Sequence, residues 1–279
     1  MLHLSRRKFI YNTCCTCTSG LILSSCAEVA LSERKQINIL SDDYLYSQTF
    51  PAYENFKSQS NLIIGTKEYD TVVQIGYNIR DAINIYYQHN GQENPTSNFE
   101  WEFILVDDDE TKNAWCMPGG KIAVYTGLLK ITKNLDALSI VMGHEIAHAV
   151  AKHSVERASR GVLINTTFQI TDILTGGKIS QVNRTTGMDT VGLLAQLGLM
   201  NPFNRKQETE ADYLGLIFSS LSGFDIRETA KIWERMKEAN KGKEPPEFMS
   251  THPSSTNRIN QINEWMNEII LKYPPIKIS

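Results

Sequence analysis

His144-Glu145-Ile146-Ala147-His148 is the stretch whose reading decides this chain. On a helix, residues i and i+4 share a face, so both imidazoles can reach one metal ion. The Glu after the first His then lies beside the metal's open position, where it can take a proton from bound water. The alternative is a helix with two satisfied histidines and an exposed Glu. The surroundings weigh against it. The helix is expected from Leu135 to Arg157, with Leu138, Val141, Ile146, Ala149 and Val150 on apolar positions. Burying a Glu and two His in such a helix is costly without a purpose.

A catalytic zinc needs a third protein ligand and a free fourth position. His153 is near in sequence, but five residues after His148 on a continuous helix it faces away, as a capping or surface residue would. The better candidate is Glu208, in Arg205-Lys206-Gln207-Glu208-Thr209-Glu210-Ala211-Asp212. Glu208 and Asp212 share a helix face, so one can bind metal while the other accepts the second N–H of a ligand His. Glu210 falls on the opposite side and is expected to face solvent. Without the His motif, this run would read as an acidic helix start favoured by the helix dipole.

Working outward, Tyr69 to Tyr87 carries apolar residues at helical spacing. Glu100 to Val106 alternates and then turns fully apolar, as a strand entering a core does, and Asp107-Asp108-Asp109 ends it as a solvated turn. Ala114 to Tyr125 reads as strand, turn, strand about Pro118-Gly119-Gly120. Residues 161–200 mix Gly and Thr with short apolar pieces and read either as a lid over a cleft or as packed short helices. Helices are expected from Arg205 to Leu221 with Gly223 capping it, from an Asp225 N-cap to Asn240, and from Ser254 or Ser255 to about Leu271, after a loop over residues 241–251. Helices dominate and strands are few, which is an α+β class: a mainly helical, HExxH zincin-like domain with a small β-sheet packed on helices.

These stretches resemble the gluzincin metallopeptidases of the Ste-type CAAX prenyl protease, HtpX and OMA group, family forty-eight of the metallopeptidases. The resemblance rests on Asn113-Ala114 with Pro118-Gly119-Gly120, Gly143 to His148, Glu208 to Asp212 followed by Gly215, and His252-Pro253 with Arg258. They occur in the family's order, and the small soluble or lipid-anchored bacterial members are most similar. The resemblance implies one Zn2+ per chain held by His144, His148 and Glu208, with Glu145 as general base and Asp212 behind a ligand. It implies that the strand after Gly119-Gly120, carrying Ile122, forms the upper rim of the cleft, where an exposed edge would pair with an extended substrate. His252 is implied near the metal, either stabilising the oxyanion or filling the open position as a fourth ligand. Arg258 anchors that loop or the acidic network, or is a surface Arg. The implied activity is a metalloendopeptidase that degrades or trims unfolded or misfolded proteins in the bacterial envelope. A chaperone-like or assembly factor, closed off by His252, is the reading from another class. A purely structural zinc module leaves Glu145 without a purpose.

The first 26 residues read as an address. Arg6, Arg7 and Lys8 precede a weakly apolar stretch from Phe9 to Leu23, too short and polar to hold a membrane span. Ser5 to Ile10 resembles a twin-arginine export signal, and Leu23-Ser24-Ser25-Cys26 a lipobox whose Cys26 is lipidated. The expected organisation is a signal over residues 1–26, a tether and N-terminal helical element over 27–68, and the peptidase domain over 69–273. The expected location is the periplasm, with a lipid anchor on Cys26. Cys116 is then a buried thiol, a Cys26–Cys116 disulfide being the lesser option. A net charge of −3 without a lysine block excludes a nucleic-acid footprint. Nothing in the sequence assigns an oligomeric state.

Overall fold

The computed structural model describes residues 26–29, 32, 34–161, 203–239, 247–252 and 256–276. The expected export signal, the lid segment, most of the 241–251 loop and the Ser254 or Ser255 cap lie outside the described residues, as does the Cys26 side chain. In chain order the elements are β1 (Cys26–Glu28), β2 (Lys35–Ile37), α1 (Asp42–Gln59), β3 (Leu62–Ile63), α2 (Lys67–His89), β4 (Glu102–Val106), β5 (Ala114–Met117) and β6 (Lys121–Tyr125). They continue with α3 (Thr126–Thr132), α4 (Leu135–Val150), α5 (Arg205–Leu221), a 3-10 turn (Ile226–Glu228), α6 (Thr229–Ala239), α7 (Glu247–Thr251) and α8 (Thr256–Lys272). The fold is α+β and mainly helical, with a small mixed sheet. Among the described residues no helix is long and apolar enough to cross a membrane.

The main sheet runs β3-β4-β6-β5, with β4 and β6 parallel and the other pairs antiparallel. Its tight β5–β6 turn needs two residues at positive φ, and Gly119 (+89°) and Gly120 (+81°) supply them. Alternate side chains of β4 and β6 leave opposite faces. Phe103, Leu105, Ile122 and Val124 join the main core with Val72, Ile75, Ile79 and Ile83 of α2. Ile104, Val106 and Ala123 meet Tyr53 of α1 on the other side. The sheet order corrects one expectation. The strand after Gly119-Gly120 is not a rim: β6 is paired on both sides, and Ile122 is 0% exposed. Among the described residues the end strands are β3 and β5, and β5 is the one beside β6.

Helix α4 starts at Asn134, whose side chain accepts from the Ala137 amide. Every residue from Ala137 to Val150 is buried, as expected of a helix apolar nearly all round. It does not run on to Arg157. Lys152 adopts φ +55°, and a separate helical segment starts at residue 153. Helix α5 begins with a capping box between Asn204 and Gln207, and every residue from Leu214 to Leu221 is buried.

Helices α4 and α5 meet backbone to backbone. A Cβ on Gly143 would stand 2.8 Å from the Gly215 carbonyl oxygen and 2.7 Å from Ser219 Oγ. The hydroxyl of Ser219 donates to the Ser139 carbonyl at 3.0 Å. With pairs 139–219 and 143–215 in register, the helices run in opposite directions, which brings Glu208 level with His144 and His148.

Candidate metal centre

Four side chains from three elements converge: His144 and His148 of α4, Glu208 of α5, and His252 just after α7. All are buried, and one donor atom from each lies within 4.8 Å of every other. His144 Nε2 is 3.0 Å from His148 Nε2 and 3.1 Å from His252 Nδ1. Glu208 Oε1 is 2.9 Å from His252 Nδ1 and 3.5 Å from His148 Nε2. Zinc bonds of about 2.0–2.2 Å at tetrahedral angles separate neighbouring donors by roughly 3.3–3.6 Å. Separations of 2.9 to 3.6 Å therefore fit one divalent ion.

The tautomers agree. His144 Nδ1 faces Asp212 Oδ1 at 3.1 Å, so its proton belongs there and Nε2 is left with a lone pair aimed at the group. Asp212 in turn accepts two bonds from Arg258, one from Nη2 at 2.8 Å and one from Nε. Arg258 also sets Nη1 2.7 Å from Glu208 Oε2 and packs over the Trp233 ring. Burial alone would push the Asp212 carboxyl up, but Arg258 and His144 hold it below 3.8. Burial acts the same way on Glu208, and His252, His148 and His144 outweigh it, holding the carboxyl well below 4.5.

Glu145 sits beside this group. Its Oε1 is buried and accepts no hydrogen bond among the described residues, and His252 Nε2 stands 3.3 Å away. Burial, only partly countered by His252 and His144, raises its carboxyl above 4.5. Asn113, Ala114 and Cys116, at and beside β5, line the same cleft as Glu145, His148 and His252. Phe203 stacks on the His148 ring with centroids 3.9 Å apart, and Phe248 lies against His252, so the cleft has apolar walls. Cys116 is a free thiol, 5% exposed, whose deprotonation burial opposes.

The sequence reading missed the surroundings of His148. His153 does not face away: it is 0% exposed, and its Nδ1 lies 2.8 Å from His148 Nδ1. The break at Lys152 turns it back toward α4, and no Gly or Pro marks that break. Glu210 does not face solvent: it is 6% exposed, with Oε2 2.8 Å from His153 Nε2. Gly119 and Gly120 serve the hairpin turn, away from the group.

A family model described as Peptidase family M48 matches residues 81–266. Mitochondrial metalloendopeptidase OMA1 of Schizosaccharomyces pombe is 33% identical over 248 residues, covering 88% of this chain and 67% of that protein. The human metalloendopeptidase OMA1 is 32% identical over 178 residues, 60% of this chain and 32% of its own length. The beta-barrel assembly-enhancing protease of Escherichia coli K12 is 27% identical over 176 residues, 61% of this chain and 35% of its own. The chain thus spans two thirds of the yeast protein and about a third of the other two.

Proposed function

We propose, from the premise that the chain belongs to peptidase family M48, that it is a zinc-dependent endopeptidase with His144, His148 and Glu208 as ligands and Glu145 as general base. The convergence of two imidazole nitrogens and one carboxylate around a single point, with a buried carboxylate oxygen of Glu145 beside it that accepts no hydrogen bond among the described residues, carries this reading. Bound zinc supplies a Lewis acid for water and for the scissile carbonyl. Glu145 accepts the water proton and hands it to the leaving amine, and its raised carboxyl suits a group that must act as both base and acid. Asp212 holds the His144 proton at Nδ1, and Arg258 holds Asp212 and Glu208 in place.

Strand β5, at the sheet's end and in the lining of the cleft, is the surface on which an extended substrate would pair. Backbone pairing gives affinity with little sequence preference, which suits unfolded or misfolded proteins. Export to the bacterial periplasm with a lipid anchor on Cys26 rests on the twin-arginine-like and lipobox-like residues. The E. coli relative named for β-barrel assembly supports an envelope quality-control role, whereas the OMA1 relatives are named mitochondrial.

One observation favours a second reading, an autoinhibited assembly factor or chaperone: His252 Nδ1 lies where a fourth ligand would. Incubating the purified protein with casein, with and without chelator, tests both. The peptidase reading expects one zinc per chain, cleavage abolished by chelator, and a Glu145→Gln variant that keeps zinc and loses cleavage. Cleavage by Glu145→Gln at the wild-type rate would end the assignment. Cleavage seen only in His252→Ala would favour the second reading.

A further inference from the structure

His148 has a buried outer support of its own. A neutral imidazole that offers Nε2 to a metal carries its proton on Nδ1. His148 Nδ1–H therefore donates to His153 Nδ1, 2.8 Å away. That leaves the His153 proton on Nε2, which donates to Glu210 Oε2, also at 2.8 Å. Glu210 further accepts from Arg34 Nε at 2.5 Å and from the Ser32 hydroxyl. Arg34 Nη1 also donates to Glu156 Oε2 at 3.0 Å, and Glu156 is 0% exposed. Every donor in this line finds an acceptor only if the protons sit in that one order. Reversing the His153 tautomer would set a lone pair against the Glu210 carboxylate.

We infer that His153, Glu210 and Arg34 form a positioning relay that fixes the tautomer and ring angle of His148 for metal binding, with Arg34 as its outer end. The inference rests on the metal-site reading above and extends it to residues that reading does not use. Arg34 lies outside the segment matched by the family model, residues 81–266. The N-terminal β1–β2 segment is thereby part of the metal centre. It neutralises Glu210 and Glu156 from one guanidinium, whose planar fork can reach two carboxylates where a lysine ammonium is a single point charge. The arrangement parallels the other ligand: His144 is backed by Asp212 and Arg258, and His148 by Glu210 and Arg34, with one more imidazole in between.

The test is zinc affinity by chelator competition, together with the visible spectrum of the cobalt-substituted protein, in wild type, His153→Leu, His153→Asn and Arg34→Leu. Losing a partner behind a ligand typically lowers metal affinity about 10- to 100-fold. His153→Leu is expected to show that loss and a changed cobalt spectrum. His153→Asn places its side-chain oxygen where Nδ1 stood, still accepts from His148, and is expected to recover part of the affinity. Arg34→Leu, at a residue 21% exposed, takes the counter-charge from Glu210 and Glu156 and is expected to weaken zinc binding, with the circular dichroism spectrum checking that the fold is kept. Wild-type affinity and an unchanged cobalt spectrum in both His153→Leu and Arg34→Leu, while His148→Ala loses zinc, would overturn the relay and leave the metal site standing. Zinc retained by His148→Ala would overturn the metal site, and the relay with it.

Discussion

Gly215 lies so close to His144 that a Cβ built on it would stand 2.7 Å from the His144 amide nitrogen. The obstacle is backbone, so no side chain can swing aside. Gly215→Ala is expected to force α4 and α5 apart, costing about 1–3 kcal/mol or more. It should also weaken zinc binding, because Glu208 rides on the same helix. Urea unfolding and zinc stoichiometry check this, and wild-type values for both would show that the helices can separate freely.

Arg258 is 6% exposed and serves Asp212 and Glu208 together. Arg258→Met is expected to strand two buried carboxylates and cost roughly 3–5 kcal/mol in the metal-free protein. Arg258→Lys should recover less than half of that, since an ammonium cannot repeat the forked geometry. Equal urea midpoints for the Met and Lys variants would show that the charge is unimportant there.

His252 Nδ1 stands 2.9 Å from Glu208 Oε1, and its Nε2 stands 3.3 Å from Glu145 Oε1. A side chain placed there competes with water and substrate. His252→Ala is expected to raise casein cleavage several-fold while loosening zinc. A fall in kcat with unchanged zinc affinity would instead assign this side chain to stabilising the oxyanion.

Acid should destabilise the metal-free protein. Burial holds His148 well below 6.5, and holds His153 below it too. Below about pH 6.5 the unfolded chain binds protons at both positions more readily than the folded chain, so stability falls as pH falls. His252 acts oppositely. Burial opposes its charge, but Glu145 and Glu208 prevail and raise it above 6.5, so its contribution is complete below that value and is lost as pH rises. Glu145, raised by burial, offsets part of the loss just above pH 4.5. A urea midpoint that declines from pH 6.5 to 5 is expected. A flat profile would contradict these protonation states.

The metal-facing residues were legible because helical periodicity alone puts His144 beside His148 and Glu208 beside Asp212. The residues behind them were not. Lys152 adopts a left-handed conformation with no Gly or Asn to announce it, and that single residue turns His153 back toward His148. Glu210 was placed in solvent because it falls opposite Glu208 and Asp212, but Ser32 and Arg34 of the N-terminal segment and His153 cover it there. Ser32 and Arg34 come from a stretch without apolar periodicity. The β5–β6 hairpin was readable from Pro118-Gly119-Gly120, but which strand β4 joins is decided by packing between distant segments, and β6, expected at an edge, is paired on both sides.

The centre draws Arg34 from near the start of the chain, two histidines from its middle, and His252 and Arg258 from its last tenth. The final helix adds Arg258, the guanidinium that holds Asp212 and Glu208. Before α8 docks, two buried carboxylates lack their counter-charge, so the ligand helices and the C-terminal helix settle together.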